Sequence, residues 1–536
     1  MVDQRFSSAY SSAYAERAGH AAFFGGAPRG RGGWGGGGFR GGAGGRSAQF
    51  SSNRRLMDER GEFQGRRDQR RGGLRGGFRG GMRGGGRGGG WGGGRWEERN
   101  PATLVDPSIE VGEAWEFVAE MTVTQMSKMR YDKVAEGEDV VRAGSVRFYD
   151  RSLERINTRA ARVLQKFPNR KFHCVTTTDD PIIRRLAGEG VANIFATSSI
   201  ISLLMVAART SYGWDIVVQR VGDKLFFDKR EGSAIDHLTV GETSQEVQLA
   251  AAEDAKDGSS VASVKKARAL AVEATATNQN FSQAVLRKDR AAHKFDEPDP
   301  FARDGEDCAA VGYRYRKWVF PDDVTVLVRC EVDAAGDGVS SDGTAPQLLA
   351  VKALSEYPEG TLEWRQKLDT HRGAVFANEI KNNAGKLARW TAQALLSGVD
   401  QINFGFTTRS NPRDGNTHLL LATQQYKPRE FATQIALTPS NMWGVFMHIV
   451  DLCYRYMDET GKAIIMKDPN EPVVRMYRVP EDSFENDDDD DEDDEDDDGD
   501  DDEKEEDGDE DEEQSNGEAN GTSGGGENAG DNKDGA

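Results

Sequence analysis

The chain is 536 residues long, with 90 acidic residues against 69 Lys and Arg and a formal net charge of −21. The charge is segregated: residues 1–99 hold 19 Arg, no Lys and 8 acidic residues, while residues 481–536 hold 31 acidic residues and two lysines. Both ends are too poor in apolar side chains to offset the entropy of ordering, which excludes them from a packed core and leaves a near-neutral middle of about 380 residues.

From the start of the chain, MVDQRFSSAY lacks the apolar stretch of a secretory signal, so a cytoplasmic location is expected. Residues 1–105 read as a disordered arm with two RGG boxes, 25–46 and 71–96. In the second box Arg71, Arg75, Arg79, Arg83 and Arg87 recur at every fourth position, and Arg95 follows Trp91. Glycine keeps such a segment flexible and arginine supplies phosphate contacts. Phe39, Phe78, Trp91 and Trp96 add faces on which bases stack, at ~1–3 kcal/mol each and without sequence preference. A plain linker is the alternative.

Residues 106–480 read as one domain. At 198–209 apolar residues recur at helical spacing behind Thr197 or Ser198 as N-cap, predicting a buried helix. Its apolar stretch is about half the ~20 residues that a membrane span needs, and no membrane partner is expected. WDIVVQR at 214–220 alternates as a strand does, 221–223 turns, and LFF returns as a hairpin partner. Residues 233–262 form a polar, acidic loop, long enough to suggest a lid or an insert. A helix follows at 264–274. Strands are expected at 313–320, 324–332, 348–354, 402–407, 418–423, 463–467 and 473–479, and helices at 386–396 and 440–457. Many strands with a few long helices, not strictly alternating, make an α+β fold. The acidic stretch 481–536 reads as a disordered tail, either solvating or complementary to a basic partner. Cys174, Cys308, Cys330 and Cys453 are far apart with no CxxC pair, so neither disulfides nor structural zinc is expected.

Nine strings carry a resemblance: HCVTTTDDPIIRRLA (173–187), NIFAT (193–197), WDIVVQRVGDKLFFDKR (214–230), EATATNQNFSQAVLR (273–287), YRYRKW (313–318), EWRQKLDTHRGAV (363–375), EIKNNAGKLARWTAQALLSG (379–398), ATQQYKPREFATQIAL (422–437) and KDPN (467–470). In order and spacing they resemble the family of the d subunit of eukaryotic translation initiation factor 3. The resemblance implies a single cup-shaped domain that holds the 5′ cap of messenger RNA without catalysis or cofactor. It also implies a place in a multi-subunit factor, beside its e subunit, that brings selected messages to the small (40S) ribosomal subunit. Positions matching the family's cap pocket are Ser198, Ser211, Tyr212, Thr275, Asn278 and Gln279. The family commonly has Asp, an apolar residue and His at 198, 211 and 279. For the bare residues, other roles are open: Ser198 as a helix N-cap, Tyr212 as core packing, Asn278 as a helix terminator. An insert resembling the family's RNA gate runs Ala234-Ile235-Asp236-His237-Leu238-Thr239-Val240-Gly241-Glu242-Thr243-Ser244-Gln245-Glu246-Val247-Gln248.

The implied fold also resembles that of decapping exoribonucleases, whose carboxylates and lysine hold a divalent cation and polarise a phosphate. Glu331 and Asp333 match one such piece, Glu379 and Lys381 another. The upstream carboxylate position is read as Lys317, a cation expected to repel the metal, so these residues are expected to be a non-catalytic relic or ordinary surface groups. A metal-dependent decapping or 5′ exonuclease enzyme and a general RGG-box RNA-binding protein stand as the alternative functions.

Overall fold

A computed structural model describes residues 107–484 apart from 231, 243–259, 304, 341–342, 344–345 and 357–362. The arginine-rich arm, Thr243–Gln248 of the gate and the tail beyond 484 lie outside the described residues. The hairpin follows its sequence pattern closely. Trp214–Val221 pairs antiparallel with Lys224–Asp228, and Gly222 makes the turn at φ +62°, where a side chain would be strained.

Among the described residues the strands form a ten-stranded and a five-stranded sheet. The larger runs Glu116–Thr122, Val473–Val479, Lys462–Lys467, Trp214–Val221, Lys224–Asp228, Ile194–Thr197, Thr325–Val332, Gly312–Val319, Glu138–Val146, His293–Lys294. It is antiparallel except at Ile194–Thr197, which lies parallel to both neighbours. In the smaller sheet Leu348–Ser355 runs parallel to Gln401–Asn411. A parallel pair needs a crossover, here supplied by the helices Trp364–Asn382 and Ala384–Ser397. The mixed α+β class is as expected.

Three apolar helices, Ser198–Met205, Ala384–Ser397 and Pro439–Tyr456, form a buried layer, and the first two pack on the Thr325–Val332 strand. Ile200, Ile201, Leu203 and Leu204 are fully buried, each worth about 1.5–3 kcal/mol of transfer from water. Beside them Phe376, Phe404, Tyr426 and Phe431 make an aromatic cluster with centroids 4.9–6.0 Å apart. The helix expected at 264–274 is much longer, Ser260–Ala284, and passes through Asn278 without ending there. Its extension is held by Phe281, fully buried against Gly405, where any Cβ would overlap the ring.

Candidate ligand cavity

The first wall is the 171–180 segment, and its TTTDDP string has a local reason. Asp180, wholly buried, accepts from the Ile182 and Ile183 amides at 2.8 and 3.1 Å and so caps the helix Pro181–Gly188. The same carboxylate accepts from Tyr315 Oη (2.9 Å) and Arg329 Nη1 (3.1 Å). Asp228 accepts from the Thr177 and Thr178 amides and the Thr178 hydroxyl at 2.7–3.0 Å. Arg329 is thereby fixed at the cavity. Burial opposes its charge, but Asp180 and Glu331 hold its pKa above the ordinary arginine value.

The second wall is the Ser260–Ala284 helix. Asn278 Oδ1 accepts from the Ala353 amide at 2.9 Å, and Glu273 receives Arg409 through both oxygens and His418 Nε2 at 2.8 Å. Burial pushes the Glu273 carboxyl up, yet the hydrogen bonds from Arg409 and His418 outweigh it and hold the pKa at about 2. This helix is bolted to the smaller sheet by charge-assisted bonds, about twice as strong as neutral ones.

The third wall is a strap, 234–242, laid over the helix Ala384–Ser397. Leu238 N–H donates to Thr275 Oγ1 (2.9 Å), Gly241 N–H to Asn383 Oδ1 (2.9 Å), and Lys386 Nζ to Thr239 O (2.7 Å). Arg389 donates to Ile235 O at 3.2 and 3.3 Å, and Lys229 pairs with Asp236. Glu242 takes the N-terminus of the helix: its two oxygens accept from the Gly385 and Lys386 amides at 2.8 and 2.9 Å. That is where a helix dipole favours an anion. Burial nonetheless raises the Glu242 pKa above the usual carboxylate range.

These walls enclose a partly open cavity of about 200 Å³. Lys171, Lys229, Arg329, Lys352, Lys386 and Arg389 border it, against Asp236, Glu331 and Asp333, with Phe172, Tyr212, Tyr313 and Trp390 as aromatic faces. Burial pushes the Tyr212 phenol up to about 12, so it stays neutral. Excess cationic charge with aromatic faces suits a planar, phosphate-bearing ligand.

Four of the six family-derived positions, Tyr212, Thr275, Asn278 and Gln279, border this one cavity, as do Ile235, Asp236, His237, Leu238 and Thr239 of the gate. Tyr212 also packs on the core. Ser198 and Ser211 do not border it. Ser198 is the buried first residue of its helix, with Thr197 as cap, and Ser211 Oγ donates to Glu242 O at 3.2 Å. Glu331 and Asp333 do lie at the cavity, but Asp333 is engaged by Lys352 Nζ (2.9 Å) and the Val351 amide (2.7 Å).

Two relic assignments need correction. Glu379 and Lys381 sit on the helix Trp364–Asn382, away from the cavity lining, and Lys352 is the lysine that meets Asp333. Lys317 is also outside the lining: strand pairing sets Tyr313 opposite Glu331, and Lys317 lies four residues, about 13 Å, further along. Sequence reasoning missed Arg329, Lys352, Lys386, Arg389 and Trp390. The string EIKNNAGKLARWTAQALLSG had marked the region of Lys386, Arg389 and Trp390 without assigning roles.

The mixed α/β domain thus encloses a cation-lined cavity under a strap. Similarity to known proteins is more specific. The family model described as Eukaryotic translation initiation factor 3 subunit 7 (eIF-3) matches residues 3–478, and the chain belongs to that family. It is 46% identical over 400 residues to the D subunit of eukaryotic translation initiation factor 3 from Nasonia vitripennis, covering 73% of this chain and 69% of that one. To the D subunit from Bombyx mori it is 44% identical over 401 residues (73% and 70%), and to that from Arabidopsis thaliana 45% over 392 (73% and 64%). Among solved structures, Scheffersomyces stipitis Rai1 aligns with a TM-score of 0.41 and 13% identity, over 70% of this chain and 94% of that one.

Proposed function

We propose that this chain is a cytoplasmic, cap-binding component of initiation factor 3 that recruits selected messages to the small ribosomal subunit and carries out no chemistry on them. The observation that carries the reading is the cavity itself, shared by Tyr212 from one element and Thr275, Asn278 and Gln279 from another. A methylated guanine is cationic and planar, and Tyr212 or Trp390 offers the face it would stack on. Arg329 and Lys386 would take the phosphates, and the strap 234–242 would have to shift for the ligand to enter. A non-catalytic role is supported by Asp333, whose Oδ2 already accepts from Lys352 Nζ and the Val351 amide, one of the oxygens a divalent ion would use. The arginines of residues 71–95 would hold the adjacent RNA through phosphate contacts, and contact with the e subunit follows the family.

Fluorescence titration of the full chain with a methylated cap analogue tests this. Binding that weakens at least tenfold in Tyr212→Ala and in Asn278→Ala, and is weaker for unmethylated GTP, supports the reading. Equal binding of both nucleotides, or none even with the strap anchors Glu242 and Asn383 replaced by Ala, overturns it. Release of a nucleotide from capped RNA with Mn²⁺, abolished by Glu331→Ala, would instead establish the nuclease reading.

A further inference from the structure

His173 lies 135 residues before Cys308 in sequence, with Glu306 two positions from the cysteine, yet the ligating atoms of all three lie within 4.8 Å of one another. The fold brings them together by backbone pairing: Lys171 N–H donates to Asp307 O and Ala309 N–H to Lys171 O, both at 2.9 Å. The Lys171 to Cys308 bridge is parallel, so the two segments run side by side past the group. All three residues are half-buried.

We infer that His173, Glu306 and Cys308 form a binding site for a single zinc ion at the edge of the cavity. The first ground is distance. Zinc bonds of about 2.3 Å to sulfur and 2.0–2.1 Å to nitrogen, at a tetrahedral angle, separate the two ligand atoms by about 3.6 Å. His173 Nε2 and Cys308 Sγ are 3.4 Å apart. The second ground is an unused acceptor. Lys171 Nζ takes Glu306 Oε1 at 2.8 Å, while Glu306 Oε2 is buried with no hydrogen-bond partner, an arrangement that a bound cation would relieve. The third is donor chemistry. One imidazole, one thiolate and one carboxylate suit a borderline-soft ion such as zinc, and three protein ligands leave the fourth position to water or to a ligand. Magnesium and calcium, which prefer oxygen alone, do not fit.

The wide spacing of the cysteines argued against zinc in the sequence, because no two of them could share an ion. A mixed His/Glu/Cys group needs only one cysteine. His173 also borders the cavity, so an ion held there would add positive charge to its wall. The site stands independently of what the cavity binds.

The full chain, stripped with a chelator, is titrated with Zn²⁺ and separately with Co²⁺, whose thiolate charge-transfer absorption reports a sulfur ligand. We expect one zinc retained per chain through desalting, a thiolate-to-cobalt band that is absent in Cys308→Ser, and zinc binding at least about tenfold weaker in His173→Gln. Circular dichroism melts of both variants without metal check that they fold, and His173→Gln decides if Cys308→Ser does not. Failure of the parent chain to retain zinc overturns the site. So does a cobalt band that survives in Cys308→Ser, or one that disappears in a variant of the exposed neighbour, Cys174→Ser, while Cys308 is intact.

Discussion

The helix Ser260–Ala284 and the strap 234–242 both border the cavity and meet at Leu238 and Thr275, and each depends on a half-buried glutamate. The two glutamates titrate in opposite directions. Glu273 is held down to about 2 because Arg409 and His418 more than offset its burial, whereas Glu242 is raised because burial outweighs its hydrogen bonds to Thr239, Gly385 and Lys386. The helix is anchored to a sheet by Glu273 with Arg409 and His418, and the strap to the helix Ala384–Ser397 by Glu242 together with Asn383, Lys386 and Arg389. The difference predicts that the strap opens before the helix does.

Removing the stronger anchor should have the largest effect. Glu273→Ala removes the carboxylate that Arg409 and His418 share and is expected to lower stability by about 2–3 kcal/mol in urea unfolding. Because the folded pKa lies below the ordinary 4.5, this contribution is complete above that pH and disappears as pH falls toward about 2. A variant that unfolds at the parent's urea midpoint at neutral pH would show that the helix is not held this way.

Glu379 gives the next effect, and it acts on the strap side. Its Oε2 accepts from Asn383 Nδ2 at 2.9 Å, and Asn383 in turn holds Gly241. Burial pushes Glu379 up to about 7, with Lys386 and Asn383 pulling the other way. A raised folded pKa means that stability falls as pH rises from about 4.5 to 7 and levels off beyond it. Glu379→Gln should flatten that slope and gain about 2 kcal/mol at pH 8 relative to the parent. Melting curves across pH 5–8 decide it, and an unchanged slope would remove Glu379 from the account.

Gly405→Ala tests the helix by packing alone. The new methyl meets Phe281, and a loss of about 1–3 kcal/mol is expected. Glu242→Gln should show the smallest change in global stability, about 1 kcal/mol, because one amide oxygen can still serve the helix N-terminus. Its signature is local: hydrogen exchange at 235–242 should accelerate at least fivefold while that of 270–284 stays unchanged. Equal acceleration of both walls would erase the distinction between them.

The legible parts of this fold were those where local pattern and tertiary demand agree. Trp214–Val221 alternates, Gly222 turns, and the partner strand follows. The helix Trp364–Asn382 was missed because WRQKLDTHRGAVFANEIKN has little apolar periodicity and breaks at His371, φ −130° and ψ 34°. The helix Ser260–Ala284 was cut short because TNQNFSQ reads as polar loop; Asn278, Gln279 and Ser282 line the cavity, Asn278 and Asn280 accept backbone amides, and Phe281 is the one fully buried aromatic residue of the stretch. Tyr212, Thr275, Asn278 and Gln279 were reached through family resemblance. Lys352 was not, because only the pairing of distant strands puts it beside Asp333, and the lysine chosen for that role, Lys381, had merely the right neighbours in sequence.

One consequence follows from Asp180, which joins a helix end, a tyrosine and an arginine in a single buried junction. Arg329 carries its charge at every pH at which the domain is folded, and its position is set before any ligand arrives. Arg329 is therefore a constant positive charge in the cavity wall. If ligand affinity varies with acidity, the variation originates in groups other than Arg329.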